Sequence, residues 1–164
     1  MDVSQAELEA LAAELGTALL RHGWMLATAE SCTGGWAAQA LTAVAGSSSW
    51  FERGLVTYSN QAKMEMLGVR QETLEACGAV SEETAREMAQ GALAHSRAEA
   101  ALAITGIAGP SGGTLEKPVG TVCFAWAREG AAVVTERMSF TGDRRQIRAQ
   151  AVRHAFRNLL ALMP

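Results

Sequence analysis

The segment 30–35, with the sequence ESCTGG, places a serine where it could act as a nucleophile. An apolar stretch typical of a strand precedes it, and an alanine-rich stretch typical of a helix follows. Backbone N–H groups are free at a helix start and can hold a developing oxyanion, so the Ser31 hydroxyl could attack a carbonyl carbon there. The same residues also have a structural interpretation, in which Ser31 or Thr33 caps the helix and the glycines permit close packing.

A serine nucleophile needs a base to take its proton, and Lys63 is the better candidate for that role. His22 and His95 fall at helix ends and His154 lies within a helix, which favours charged surface positions for all three. Lys63 belongs to the first turn of a predicted helix, where the helix dipole lowers the pKa of an amine, and burial would lower it further. The alternative is a solvated lysine, and sequence spacing alone does not show that Ser31 and Lys63 meet.

Cys32 is a rival nucleophile, because a thiolate is favoured at a helix start. Its structural interpretation is a small buried residue. Ser31 and Cys32 are adjacent in the sequence, so the choice between them stays open at this point.

Two further segments could bind an anionic ligand. The glycine-rich segment 106–118 follows a continuous apolar stretch, and open α/β sheets bind ligands at the edge where such strands end. Lys117 in this segment either meets a phosphate or points into water. A helix start favours negative charge because of the helix dipole, yet the predicted helix begins with Arg144, Arg145 and Arg148. Either a bound anion or neighbouring acidic side chains therefore compensate for these positive charges.

The hydrophobic periodicity predicts the elements that position these residues. Helices are expected at 4–22, 36–46, 60–67, 81–96 and 143–162, and strands at 24–30, 55–58, 100–105, 119–127 and 133–140, the last two joined by a hairpin turn at 128–130. Helices that alternate with strands, together with one hairpin, predict a three-layer α/β/α fold with a mixed sheet. We expect one domain over residues 1–164.

Composition excludes several classes of protein. With 49% hydrophobic and 19% charged residues the chain can form a core, and a net charge of −3 gives no bulk attraction to nucleic acid or to an anionic membrane. The three cysteines are too scattered for a disulfide framework or a zinc site. Neither a signal peptide nor a membrane span is recognisable, so we expect a cytoplasmic protein.

Three long motifs together resemble the CinA carboxy-terminal domain family. They are TAESCTGG at 28–35, GLVTYSNQAK at 54–63 followed by LGV at 67–69, and ITGIAGP at 104–110 followed by KPVGT at 117–121. They occur in order and span nearly the whole chain. The nucleotide-pyrophosphatase domain that precedes this region in longer family members has no counterpart in the sequence, so we expect the stand-alone form of the domain.

The resemblance implies hydrolysis of the carboxamide of nicotinamide mononucleotide to nicotinate mononucleotide and ammonia, in pyridine nucleotide salvage, without metal or cofactor. It implies Ser31 as nucleophile and Lys63 as base, and it implies association into a homodimer or a higher homo-oligomer. The other implied site residues are Tyr58, Thr105 and Arg145, which shape or orient the site, and Cys32, Thr33, Gly34, Gly35, Gly106 and Gly109, which contact the substrate.

Two alternatives to this activity stay open. One is a nucleotide-binding regulatory module without turnover, since family membership does not guarantee activity in each member. The other is an amidase that uses Cys32. A nucleic-acid partner, which the family name suggests, has no support in the acidic composition.

Overall fold

A computed structural model describes residues 2–164 and shows, within that range, a five-stranded mixed sheet with six α-helices. The elements are α1 (Gln5–His22), β1 (Leu26–Glu30), α2 (Trp36–Thr42), β2 (Phe51–Val56), α3 (Asn60–Leu67), α4 (Gln71–Cys77), α5 (Glu82–Ala94), β3 (Ala100–Gly106), β4 (Thr121–Arg128), β5 (Val134–Ser139) and α6 (Arg144–Leu162). The strand order is β2-β1-β3-β4-β5, in which β2, β1 and β3 are parallel to one another and β4 runs antiparallel to both of its neighbours, β3 and β5. The predicted α/β class with a mixed sheet is therefore confirmed.

The two faces of the sheet carry side chains of different size. Large apolar residues of β1, β3 and β4, such as Leu26, Leu102 and Phe124, pack with α1, α2 and α6. The opposite face is built mainly from alanine and packs against α5; it comprises Ala27, Ala29, Ala101, Ala103, Ala125 and Ala127. Because successive strand residues point to opposite faces, alternation of alanine with larger residues produces this division.

Close approach of α5 to α3 depends on one glycine. A Cβ atom at Gly91 would lie 1.9 Å from the carbonyl oxygen of Leu67, the final residue of α3. Any side chain at this position would collide with backbone. Gly91 therefore sets how closely α5 packs against the helix that carries Lys63.

Some predicted boundaries differ from the structure. The helix predicted at 36–46 ends at Thr42 and is followed by one turn of 3₁₀ helix at Ser47–Ser49. The strand predicted at 55–58 runs instead from Phe51 to Val56, since parallel pairing with β1 begins at Phe51. Helix α4 was not predicted, because in this short polar helix only Thr73 is buried and no apolar periodicity marks it.

None of the helices in residues 2–164 is both long enough and apolar enough to cross a membrane.

Candidate active site

Ser31 lies immediately after β1, at the carboxyl edge of the parallel strands. Its N–H donates to the carbonyl oxygen of Ile104 at 2.9 Å, which continues the pairing between β1 and β3. The chain then turns, with Gly34 N–H donating to Ser31 O at 3.0 Å. Gly34 and Gly35 have φ values of 59° and 103°, a region that favours glycine, so this turn depends on both glycines.

Lys63 reaches Ser31 from α3, the helix that follows the edge strand β2. Ser59 caps α3, and four residues later Lys63 turns inward with only 1% of its surface exposed. Its Nζ lies 2.9 Å from Ser31 Oγ and donates to the carbonyl oxygen of Thr57, also at 2.9 Å. Burial lowers the pKa of the Lys63 amine from its usual value. A lysine in this position can receive the serine proton when it is neutral.

Burial favours the uncharged form of Cys32 as well, but for a thiol the uncharged form is the unreactive one. Burial, and after it the carboxylate of Glu30, raise the pKa of its thiol to about 12. The reactive thiolate is therefore almost absent at neutral pH. The raised pKa of the Cys32 thiol and the contact between Lys63 Nζ and Ser31 Oγ together favour Ser31 over Cys32 as nucleophile.

A buried carboxylate holds the turn from the side of the core. Glu30 is completely buried, and its Oε1 accepts from Thr33 Oγ1 at 2.6 Å and from Ala37 N at 2.8 Å. Its Oε2 accepts from Ala38 N at 3.0 Å. The carboxylate thereby satisfies free N–H groups at the start of α2, where a negative charge is also favoured by the helix dipole. Sequence analysis missed this residue.

An arginine of α6 holds the same turn from the outside. Arg148 donates through Nε to the carbonyl oxygen of Cys32 at 3.0 Å and through Nη2 to that of Thr33 at 2.9 Å. Its guanidinium carbon lies 5.3 Å from the centre of the Trp36 ring. The turn is thus fixed between an anion beneath it and a cation above it.

Ser31 and Lys63 open into a cleft of about 300 Å³, at the lower end of the range typical of small-molecule sites. The lining includes Ser31, Cys32, Tyr58, Lys63, Thr105, Gly106 and Gly109, which the resemblance implied, and also Asn60, Ser111, Gly112 and Arg144, which it did not. Thr105 donates through Oγ1 to the carbonyl oxygen of Ala79 at 2.8 Å. The structure therefore gathers three separate motifs at one edge of the sheet.

Arg144 rather than Arg145 lines this cleft. Arg144 donates through Nη1 to Gly109 O at 2.7 Å and through Nη2 to Tyr58 Oη at 3.0 Å. Arg145 lies outside, with its guanidinium carbon 5.6 Å from the centre of the Trp36 ring. Neighbouring residues of a helix point about 100° apart, so a shift of one residue moves a side chain from the cleft to another face.

Several other predicted residues do not line the cleft. Thr33 is buried against Glu30, while Gly34 and Gly35 shape the turn from behind Ser31. Lys117 does not point into water but donates to the carbonyl oxygen of Cys77 at 2.6 Å.

The three histidines lie apart from the cleft lining. His22 stacks on Trp24, His95 bonds to Gly91 O, and His154 bonds to Glu136. Within residues 2–164, no three His, Cys, Asp or Glu side chains form a group that could hold a metal ion.

The fold and the site together define a three-layer α/β protein with a buried serine–lysine pair at the carboxyl ends of its parallel strands. The family model of the CinA C-terminal domain matches residues 8–163, and the chain belongs to this family. This confirms the family that the three motifs indicated.

Two bacterial relatives match over almost their whole length. The chain is 54% identical over 157 residues to an Escherichia coli (strain K12) protein named nicotinamide-nucleotide amidohydrolase PncC, and the match covers 96% of this chain and 95% of that protein. A Pseudomonas putida protein of the same name is 50% identical over 152 residues, with 93% and 94% covered. The crystal structure of competence/damage inducible protein CihA from Agrobacterium tumefaciens superimposes with a TM-score of 0.93 at 48% identity, covering 99% of this chain and 98% of that one.

Proposed function

We propose that this chain is a nicotinamide-nucleotide amidase that hydrolyses the carboxamide of nicotinamide mononucleotide to nicotinate mononucleotide and ammonia, as a step of pyridine nucleotide salvage. The names of relatives about half identical over nearly the full chain support the substrate. The single observation that carries the chemistry is the 2.9 Å separation of Lys63 Nζ and Ser31 Oγ in a buried environment.

The proposed reaction is acyl transfer through the serine. Lys63 takes the Ser31 proton while Oγ bonds to the carboxamide carbon, and backbone N–H groups beside Ser31 hold the resulting oxyanion. Lys63 then returns the proton to the leaving nitrogen, the C–N bond breaks, and ammonia departs. Water attacks the acyl-enzyme with Lys63 again as base, which releases the nicotinate carboxylate and restores the serine.

Arg144 is the proposed partner of the substrate phosphate. Lys63 must lose its charge to act as base, so Arg144 supplies the permanent positive charge in the described lining of the cleft. A guanidinium has five N–H donors, of which Arg144 uses two on Gly109 and Tyr58. Tyr58 and Thr105 shape the cleft, and Arg145 acts from outside it.

The test measures ammonia and nicotinate mononucleotide released from nicotinamide mononucleotide by purified variants. Lys63→Arg keeps a positive charge but cannot serve as a base, so we expect turnover to fall by at least about 100-fold, the scale of general-base catalysis. Ser31→Ala removes the proposed nucleophile and should lose turnover. Its matched control is Ser48→Ala, which removes an exposed hydroxyl in the 3₁₀ turn. Near-normal deamidation by Lys63→Arg would rule the mechanism out.

Two further measurements separate the alternatives. Lys63→Ala should regain activity when small primary amines are added, because they can occupy the place of the missing side chain. Cys32→Ala should retain turnover and Ser31→Ala should lose it, whereas a cysteine amidase would give the reverse. Wild-type protein that binds the mononucleotide but releases no ammonia would identify a regulatory module instead.

A further inference from the structure

Asn60 is a residue of the cleft lining to which the proposed mechanism gives no role. It is the first residue of α3 and precedes Lys63 by three positions. Side chains three positions apart lie on the same face of a helix, so the carboxamide of Asn60 shares a face with the proposed base. Gln61, the next residue of α3, does not line the cleft.

The side chain of Asn60 has no structural role in α3. The helix cap is Ser59, whose Oγ accepts from Ala62 N at 3.0 Å. Gln61 bonds to Glu65 at 2.7 Å, whereas the carboxamide of the exposed residue Asn60 has no hydrogen-bond partner within residues 2–164. Asparagine is also a weak helix former. Its carboxamide is therefore free to bind a ligand in the cleft.

An amide substrate needs an acceptor for its leaving nitrogen. In the tetrahedral intermediate this nitrogen has two N–H groups and one lone pair, and the lone pair must face Lys63 Nζ to take the proton. A group that accepts from the N–H side fixes this orientation. Arg144 has only donors, and the described lining of the cleft contains no aspartate or glutamate. The acceptor is therefore an uncharged group.

Two polar side chains of the described lining, Asn60 and Ser111, have no protein partner. The hydroxyl groups of Tyr58 and Thr105 already form protein hydrogen bonds, at 3.0 and 2.8 Å. Ser111 belongs to the glycine-rich segment after β3, whereas Asn60 belongs to the helix that carries Lys63. Only Asn60 thus combines a free acceptor oxygen with a position on the helix face of the base.

We propose that Asn60 recognises the leaving nitrogen of the substrate: its Oδ1 accepts an N–H of the carboxamide and so turns the nitrogen lone pair toward Lys63. The inference rests on the proposed amidase activity and adds the group that selects an amide. An ester has no N–H at this place, so Asn60 contributes nothing to ester hydrolysis. Its contribution is confined to the step in which ammonia leaves.

The test compares nicotinamide mononucleotide with the methyl ester of nicotinate mononucleotide. In the ester reaction Ser31 Oγ bonds to the carbonyl carbon, the bond to the methoxy oxygen breaks, and methanol leaves with the proton that Lys63 returns; water then releases nicotinate mononucleotide. Asn60→Leu keeps the approximate size of the side chain and removes its acceptor. We expect kcat/KM to fall by about 10- to 100-fold for the amide and to change by less than about threefold for the ester.

Four further variants show whether the difference belongs to Asn60. Gln61→Leu makes a similar replacement outside the cleft and should leave both substrates at wild-type kcat/KM. Lys63→Arg should lower both, which shows that one site hydrolyses both substrates. Ser111→Ala should change both by the same factor. Asn60→Asp retains an acceptor oxygen and should recover most amide turnover, measured where kcat/KM no longer rises with pH, because a carboxylate near Lys63 favours the charged amine.

An equal loss of amide and ester hydrolysis in Asn60→Leu would overturn the proposal, because Asn60 would then bind a part that the two substrates share. An amide-specific loss in Ser111→Ala with none in Asn60→Leu would assign the acceptor to Ser111 instead. Failure of the proposed function is distinct from both outcomes, because the wild-type protein itself would then release no ammonia from the mononucleotide.

Discussion

Glutamine at position 30 tests how much the buried carboxylate stabilises the turn, since it keeps the size of glutamate and removes its charge. The single side-chain oxygen of glutamine can replace Oε1 of Glu30 and accept from Thr33 Oγ1 and Ala37 N, whose distances to Oε1 are 2.6 and 2.8 Å. The glutamine NH₂ then faces the N–H of Ala38, which loses its acceptor. Such an unsatisfied donor costs about 1–3 kcal/mol, and loss of the negative charge at the start of α2 adds about 1 kcal/mol. We therefore expect Glu30→Gln to lower the free energy of unfolding by about 2–4 kcal/mol.

Urea unfolding followed by tryptophan fluorescence measures this change. The slope with urea should stay that of the wild type, and at a slope of about 2 kcal/mol per molar the midpoint should fall by about 1–2 M. Glu14→Gln removes an exposed carboxylate of α1 and should change stability by less than about 0.5 kcal/mol. If the two variants unfold at the same urea concentration, the carboxylate of Glu30 does not hold the turn and our account of its hydrogen bonds is wrong.

Three more predictions concern pH, packing and substrate choice. Burial lowers the pKa of Lys63 below its usual 10.5, so kcat/KM should fall as the pH drops through the folded-state pKa. Between the folded-state pKa and about 10.5 the unfolded chain binds one more proton than the folded protein, so the free energy of unfolding should rise with pH over this range. Urea unfolding at several pH values should show this rise in the wild type and not in Lys63→Met. Gly91→Ala should lower the free energy of unfolding, measured in urea, by about 3 kcal/mol or more, because its Cβ would lie 1.9 Å from Leu67 O. In the control Gly46→Ala the Cβ meets no atom within 4 Å, so this variant should lose only the smaller free energy due to its positive φ of 82°, and equal losses in the two variants would contradict the packing argument. Arg144→Gln should raise KM for nicotinamide mononucleotide by about 10-fold or more and leave deamidation of the riboside unchanged, and a matching rise for both substrates would show that Arg144 does not bind the phosphate.

Local sequence signals were sufficient to predict the strand, turn and helix around Ser31. The apolar stretch, the paired glycines and the alanine-rich stretch each have a direct backbone reason. The position of Lys63 in the first turn of a helix was predictable for the same reason. That Ser31 and Lys63 meet was not, because it depends on β2 pairing in parallel beside β1, which brings the residues that follow both strands together.

Other features of the site could not be predicted from the sequence, for physical reasons. The resemblance implied Arg145, but Arg144 and Arg145 both lie in the first turn of α6, and only the direction of each side chain decides which one lines the cleft. Glu30 was overlooked because its three partners include two backbone amides seven and eight residues later, which no sequence pattern marks. Its position in β1 did contain a signal, since alternation from Leu26 places Glu30 on the same covered face.

The contact between Arg148 and the turn has a consequence for protein synthesis. At about 5–20 residues per second, the ribosome adds the arginine several seconds or more after it has added Cys32, 116 residues earlier. A nascent chain therefore presents its serine before the helix that braces the surrounding peptides exists. Catalytic competence should accordingly appear late in translation, after α6 has emerged and docked.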